Sequence, residues 1–415
     1  MTVLVFDPAY SDYMQDLGEE LARISGERCE AVLSSNAYAI YTTRLDKNVY
    51  QAPDVIQEPR CDVKLTANAL VWGCKNIQDN QRFYEQWLRD IFRQKSPTFC
   101  IFHNERFLLC ALGITLCKEM TIPFVVIERG AFRPVTTSVD SRGTNANSIF
   151  RSITHDDSLD TDVIRKFNFN KKRKPRLNLL PKFLFFILWA YFEIAFKAHR
   201  RYLFHKKYSL SNYLGLFVEF CSRKLLPNKG YLPDTSDRKI LLVALQRPGD
   251  TQLTFSKEFP GMQEMIDIIA SAAEKLDSSW DVWFKVHPFD TARYDTKGFS
   301  FIREGVVSHL IENSAVVLTF NSTVGFEALL FERPCVCLGE SFFTKPEYVY
   351  KTKNLSSDEI AKTIEQAYKS GFKKSKFSII SNVLNSYQIP GDIFRYDDED
   401  ICYAAELIYA RHADG

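Results

Sequence analysis

Short apolar runs recur along this chain, each followed by a stretch with apolar residues at helical spacing, and that alternation restricts it to buried strands covered by helices. The opening VLVFD, from Val3, reads as a buried strand, and Tyr13 to Ile24 reads as the helix after it. Strands follow at Thr98 to Phe102 and Phe124 to Ile127, with a helix from Phe107 to Met120 between them. The rhythm restarts after Lys239 with ILLVAL, then a helix from Gln263 to Leu276 and strands from Asp281 to Val286 and Ala315 to Phe320. A helix from Val324 to Phe331 and a strand from Cys335 to Leu338 complete it. Strands joined through helices run parallel, because a parallel neighbour is reached only by a crossover.

A chain of 415 residues, 46% hydrophobic, holds too much apolar material for one comfortable core. The expectation is an α/β chain of the GT-B kind, with two Rossmann-like domains and a cleft between them at the carboxyl ends of the strands. The boundaries fall at 1–165 for an N-terminal Rossmann-like domain and 237–395 for a C-terminal one. The last helix, in 396–415, is expected to pack back on the first domain. Between the domains, 166–236 carries KKRKPR followed by LNLLPKFLFFILWAYFEIAFKAHRRYLFHKK, a basic and aromatic helical insertion. Its longest apolar stretch, Phe183 to Phe192, falls below the ~18 residues a span needs, so it is expected to lie on a membrane as an interfacial helix. Lys171, Arg173, Lys174, Lys197, Arg200, Arg201, Lys206 and Lys207 would then meet anionic head groups. The alternative is a helical hairpin buried between the domains, with its basic residues on the wet side.

The 53 basic and 51 acidic residues nearly cancel, which gives no ground for a nucleic-acid partner. The ten cysteines show no zinc-site spacing and read as reduced thiols. Val3 to Phe6 lacks the basic start and long apolar core of a signal peptide, so the protein is expected in the cytoplasm.

Four motifs stand at predicted strand ends. In NSTVGFEALLFERPCVCLG a strand ends at Asn321 and a helix starts at once, with Ser322 or Thr323 as its cap and a free N-terminus suited to a phosphate. Glu327, one turn in, would accept hydrogen bonds from a ribose; an ordinary capped turn with a surface glutamate fits the spacing equally. Lys285-Val286-His287-Pro288 puts His287 at the same edge, as a cation or donor for a departing phosphate or as a structural histidine. Leu245 to Gln252, LQRPGDTQ, brings Gln246 and Asp250 there through a turn. In IERGAFRP, Glu128 ends a strand of the first domain, giving two carboxylates for double displacement, while Arg133 and Arg142 suit an acidic sugar. Each of these charges is otherwise a solvated loop residue.

Taken in order, ERGAFRP, GTNANS, LQRPGDTQ, KVHP and NSTVGFEALLFERPCVCLG resemble the signature of the capsule polysaccharide biosynthesis family, the retaining β-Kdo transferases of the KpsS and KpsC type. The match runs from Glu128 to Gly339; the first hundred residues carry no matching motif. The resemblance implies a metal-independent, cofactor-free retaining transfer from CMP-β-Kdo, with Asp250 as nucleophile, Glu128 assisting proton transfer and His287 in the catalytic group. It places Gln246, Lys285, Asn321, Ser322, Thr323 and Glu327 on the donor, and Arg133, Arg142 and Asn145 on the sugar carboxylate or acceptor. A phospholipid acceptor would explain the interfacial segment and put the enzyme on the inner face of the cytoplasmic membrane, beside capsule assembly and export proteins. A glycan acceptor, or a non-catalytic docking subunit that keeps the fold, are the other readings.

Overall fold

The computed structural model describes residues 2–8, 10–42, 49–53, 66–72, 74–153, 167–174, 179–197, 203–205, 238–247, 250–288, 290, 292–303 and 305–413. The chain divides into two compact units: Met1–Thr144, Ile164–Cys221 and Tyr387–Gly415 form the first, and Asn145–Val163 with Ser222–Ser386 the second. Strands β1 (Thr2–Phe6), β2 (Arg28–Leu33), β3 (Val49–Gln51), β4 (Pro97–His103), β5 (Phe124–Arg129) and β6 (Thr136–Asp140) belong to the first unit. Strands β7 (Lys239–Ala244), β8 (Trp280–Lys285), β9 (Ser300–Ile302), β10 (Val316–Thr319), β11 (Cys335–Cys337) and β12 (Tyr350–Lys351) belong to the second, and β13 (Gln388–Pro390) returns to the first.

The first sheet runs β13-β6-β5-β4-β1-β2-β3, parallel from β5 to β3, with β6 and β13 added antiparallel at one edge. The second runs β12-β11-β10-β7-β8-β9 and is parallel throughout. Central strands of such sheets are covered on both faces, which is why TVLVF in β1 and ILLVA in β7 are buried at every position. The second unit's core joins Leu241, Val243, Val282, Phe284 and Leu318 to Ile266 and Ile269 of helix Met262–Ala273.

In the first unit, helix Tyr13–Ser25 lays Met14, Leu17 and Leu21 on Val3, Val5 and Ile101, and ends at Gly26, whose φ of 69° closes the last turn. Gly18 lets it sit close: a Cβ there would meet Val5 Cγ2 at 2.5 Å. Helix Asp398–Ala413 packs Ile401, Ala404, Ala405 and Ile408 into the same core, and Tyr396 Oη donates to Asp16 at 2.8 Å. Its acidic first turn is held by the start of the basic insertion. Arg173 donates to both carboxylate oxygens of Asp400, at 2.9 and 2.8 Å, and Lys171 pairs with Asp397 and Glu399 at 2.8 and 2.7 Å. These two cations, expected at lipid head groups, therefore serve the first unit internally. Arg200, Arg201, Lys206 and Lys207 lie outside the described residues.

Helix Leu179–Phe196 has 18 residues, longer than the apolar stretch that suggested it, and by length and composition alone it could cross a membrane. Its outer side is apolar, not basic as a buried hairpin with a wet face would require.

Close approach at the end of β5 is the tightest among the described glycines: a Cβ on Gly130 would lie 2.0 Å from the Thr136 carbonyl oxygen. Gly130→Ala is expected to force β5 and β6 apart and to lower unfolding stability by about 1–3 kcal/mol, read by denaturant titration. Unchanged stability would show that the turn relaxes freely.

Candidate active-site residues at the two sheet edges

In the second sheet β7 lies between β10 and β8, so the connections leaving β7 and β10 diverge and open a crevice at their carboxyl ends, where ligands of open α/β sheets bind. The two strand ends are tied together. Buried Gln246, just after β7, accepts at Oε1 from the Asn321 N–H (3.3 Å), and Asn321 Nδ2 donates to the Gln252 carbonyl (3.4 Å). Thr319 Oγ1 donates to the Ala244 carbonyl (3.1 Å) and accepts from the Ser322 N–H (3.2 Å). Asn321 Oδ1 is buried without a hydrogen-bond partner among the described residues, an acceptor that calls for a donor from ligand or water.

Ser322 is the N-cap of helix Thr323–Leu330, its Oγ accepting from the Val324 N–H at 3.3 Å. Gly325 lets that helix start close to the sheet, since a Cβ would meet the Phe343 ring at 2.9 Å and Thr319 Cγ2 at 3.0 Å. Thr323 and Glu327, both partly exposed, stand in its first two turns. Asp250 caps the short helix Thr251–Thr254: Oδ1 accepts from the Gln252 N–H at 2.9 Å, while Oδ2 makes no hydrogen bond among the described residues. Pro248 and Gly249 of the same motif lie outside them.

His287 follows β8 and is half-buried. Its burial, then the neighbouring Arg247 guanidinium, hold its pKa below the ordinary value, with Asp250 and Asp290 opposing. Near neutral pH it is therefore an uncharged imidazole, a hydrogen-bonding group and not the cation that the sequence left open. Arg247, which no motif argument singled out, belongs to the same electrostatic neighbourhood; its place beside the motif glutamine was the available signal.

Two expected contacts are otherwise engaged. Lys285 is buried, and its ammonium donates to the carbonyls of Val286 (2.9 Å) and Arg303 (2.8 Å), which joins β8 to the end of β9. Asn145 belongs to the second unit, not to the first domain as the boundary at 165 implied. Its Oδ1 accepts from Ser341 Oγ (2.5 Å) and the Phe342 N–H (3.1 Å), while Arg151 reaches Glu340 and Lys345 donates to the Phe150 and Ile153 carbonyls. Residues 145–153 are thus clamped onto the loop after β11.

The first sheet has its own point of divergence, between β1 and β4. Glu128, half-buried near the end of β5, accepts at Oε1 from Asn104 Nδ2 at 3.1 Å, and Asn104 Oδ1 accepts from the Arg106 N–H at 2.9 Å. Both ends of that amide are used, so Asn104 orients the carboxylate; it stands at a φ of 68° in the turn after β4. Arg133 and Arg142 are exposed on loops of this unit, Arg133 Nε donating to the Gly130 carbonyl at 3.1 Å. Asp7, at the end of β1, is fully buried and accepts from the Ser34 N–H at 2.8 Å. Burial pushes its pKa up to about 7 against that hydrogen bond. The sequence displayed Asp7 at the end of VLVFD but gave no hint of its protonation.

This arrangement, two largely parallel sheets with polar residues gathered at their carboxyl edges, defines a doubly wound α/β protein. The chain belongs to the capsule polysaccharide biosynthesis protein family, whose model matches residues 114–367. It is 31% identical to Protein FixF of Sinorhizobium fredii over 121 residues, 28% of this chain and only 30% of FixF. It is 24% identical to the capsule polysaccharide export protein KpsS of Escherichia coli over 287 residues, 62% of this chain and 71% of KpsS. Among solved structures it is similar to the β-Kdo 2,7 transferase of Thermosulfurimonas dismutans KpsC, with a TM-score of 0.39 and 16% identity over 82% of this chain and 97% of that one. The β-Kdo 2,4 transferase of the same protein gives a TM-score of 0.41 and 15% identity over 75% and 88%.

Asp7 gives a pH signature. Its folded pKa lies above its unfolded value of 3.8, so the folded state keeps a proton that the unfolded chain loses between pH ~4 and ~7. The stabilisation is full below that window and is lost as pH rises through about 7. Asp7→Asn is expected to remove this slope, so that the difference in unfolding free energy between variant and wild type grows by up to roughly 4 kcal/mol from pH 4 to pH 7.5. A constant difference across that range would place Asp7 in a solvated, ordinary environment.

Proposed function

We propose that the chain is a retaining β-Kdo glycosyltransferase that moves Kdo from CMP-β-Kdo to a phosphatidylglycerol-type lipid in capsule polysaccharide assembly. The observation that carries this reading is the crevice after β7, β8 and β10, where Gln246, Asp250, His287 and Asn321 converge inside the stretch matched by the family model. Asp250 has one carboxylate oxygen held by the Gln252 N–H, which leaves Oδ2 to attack the anomeric carbon as its bond to the CMP phosphate breaks. The phosphate departs toward the N-terminus of helix Thr323–Leu330, with Ser322 and Thr323 at its first turn and neutral His287 as hydrogen-bond donor. Glu327 is assigned to the ribose. In the second step Glu128 takes the proton of the acceptor hydroxyl, whose oxygen displaces Asp250; two inversions give net retention. Arg133 and Arg142 are assigned to the carboxylate of the acidic sugar.

CMP leaves as a monophosphate, so a helix terminus and a hydrogen bond from one imidazole suffice to stabilise it, and the reaction is proposed to need neither metal nor cofactor. The lipid acceptor places the enzyme on the inner face of the cytoplasmic membrane, in reach of capsule assembly and export proteins. Transfer to a glycan is the second reading, favoured by the family's capsule-building role.

Intact-mass measurement after incubation with CMP-Kdo made in situ tests the mechanism. Wild type is expected to gain one Kdo, to discharge it onto phosphatidylglycerol, and Asp250→Ala to gain nothing. A wild type that neither gains mass nor releases CMP with lipid or glycan acceptors sinks the Kdo assignment.

A further inference from the structure

Helix Leu179–Phe196 inverts the usual distribution of a surface helix. At about 100° per residue, Lys182, Phe186, Ile187, Ala190 and Glu193 fall on one half of its circumference. That half is the one turned inward. Phe186, Ile187 and Ala190 enter a core with Leu33, Ala37, Tyr38 and Tyr41, and the Phe186 ring stands 4.9 Å from that of Tyr38 and 5.2 Å from that of Tyr10. The helix contains two charged residues, and both point into the protein. Lys182 Nζ binds both carboxylate oxygens of Asp12, at 2.7 and 2.8 Å. Glu193, 1% exposed, accepts from Ser35 Oγ at 2.8 Å and Trp189 Nε1 at 3.0 Å.

The outward half holds no polar side chain apart from the Tyr191 hydroxyl and the indole N–H of Trp189, which is already donated to Glu193. Leu180, Leu184, Phe185, Leu188, Phe192 and Phe196 stand exposed along it, Phe196 to 73%. Such a face in water is strongly unfavourable, and a protein partner would normally meet a polar rim around an apolar centre. Here the polar surroundings are instead basic and lie beyond both ends: the exposed Lys172 and Lys174 precede the helix and Lys197 follows it. An apolar, aromatic arc with cationic ends matches an anionic bilayer surface.

The anchoring also sets orientation. Inward contacts run from Lys182 to Glu193, about 16 Å of helix, so the opposite face is presented lengthwise. Drawing the helix out to span a bilayer would break the Asp12 and Ser35 contacts and empty the core around Tyr38. Asp12 follows β1 and Ser35 follows β2, so the helix sits at the carboxyl edge of the first sheet, where the ring of Tyr10 bridges Phe183 and His103 of β4 at 6.0 Å each.

We propose that Leu179–Phe196 is a monotopic docking helix that lies in the plane of an anionic lipid surface and holds the carboxyl edge of the first sheet, with Asn104 and Glu128, at the level of the head groups. This rests on the proposed function only in making the lipid the source of the acceptor.

The test is flotation of the full chain with phosphatidylcholine vesicles and with vesicles containing phosphatidylglycerol, for wild type and for the double variant Leu184→Glu/Leu188→Glu. Wild type is expected to float with the anionic vesicles and to be released by alkaline carbonate, and the variant to bind at least about a hundredfold more weakly with an unchanged melting temperature. Fluorescence adds a reading independent of affinity: brominated lipid should quench wild type but not Trp189→Phe to the same extent. The proposal is overturned if wild type binds neither vesicle, if carbonate fails to release it, or if wild type self-associates in solution while the double variant is monomeric, which would assign the face to a second copy. Kdo transfer to Asp250 without vesicle binding removes the docking helix alone; vesicle binding without any Kdo adduct or CMP release removes the Kdo reading alone.

Discussion

Parallel pairing is the constraint from which the rest follows. A parallel neighbour is reached only by crossing over the sheet, so β1 and β7, each flanked by strands on both sides, become buried on both faces while their connections leave in opposite directions. The consequence is chemical as well as architectural. Polar groups that would be costly in either core collect where those connections diverge, and the backbone there is held by side-chain amides: Gln246 and Asn321 in the second unit, Asn104 in the first. Rigid strands thus deliver Asp250 and His287 from short turns and Glu128 from the end of β5, which confines each carboxylate or imidazole to a narrow range of positions.

Most strands of both cores were legible because full burial writes itself as an unbroken apolar run, as in TVLVF and ILLVA, whereas the interior strand RCEAVL of β2, broken by charge, was not. Strands at the sheet edges were not legible either. TTSVD of β6 and QIP of β13 are short and mixed, and they are held by side chains from far along the chain: Gln388 donates to Ser138 Oγ and accepts from Thr136 Oγ1 and the Ala131 N–H. The same distance rule divides the site. Asp250 and Ser322 reveal themselves locally, because a cap is made with N–H groups two residues on. Lys285 and Asn145 do not, since their partners lie 18 and 196 residues away, and a motif cannot say whether a polar side chain turns to ligand or to backbone.

The insertion shows a further limit. Its hydrophobicity was plain, and so were the basic residues on either side. What the sequence did not convey was the sorting: Lys171 and Arg173 bind the acidic start of helix Asp398–Ala413, while Lys182 and Glu193 fasten Leu179–Phe196 to the first unit. A helical pattern read for a watery outside assigns charge to the surface, and this helix reverses the assignment.

The return of the chain to its beginning has a consequence for synthesis. Gln388–Pro390 completes the first sheet by pairing with β6, Tyr13 Oη donates to the Pro390 carbonyl at 2.8 Å, and the last helix covers Leu17 and Leu21. At ribosomal speeds of about 5–20 residues per second the N-terminal unit stays open on that side for tens of seconds, while the second unit, contiguous from Ser222 to Ser386 apart from one earlier loop, emerges whole. The unit that holds β1 is thus completed after the other has emerged, and a ribosome that stops before Gln388 releases a protein with that sheet unfinished.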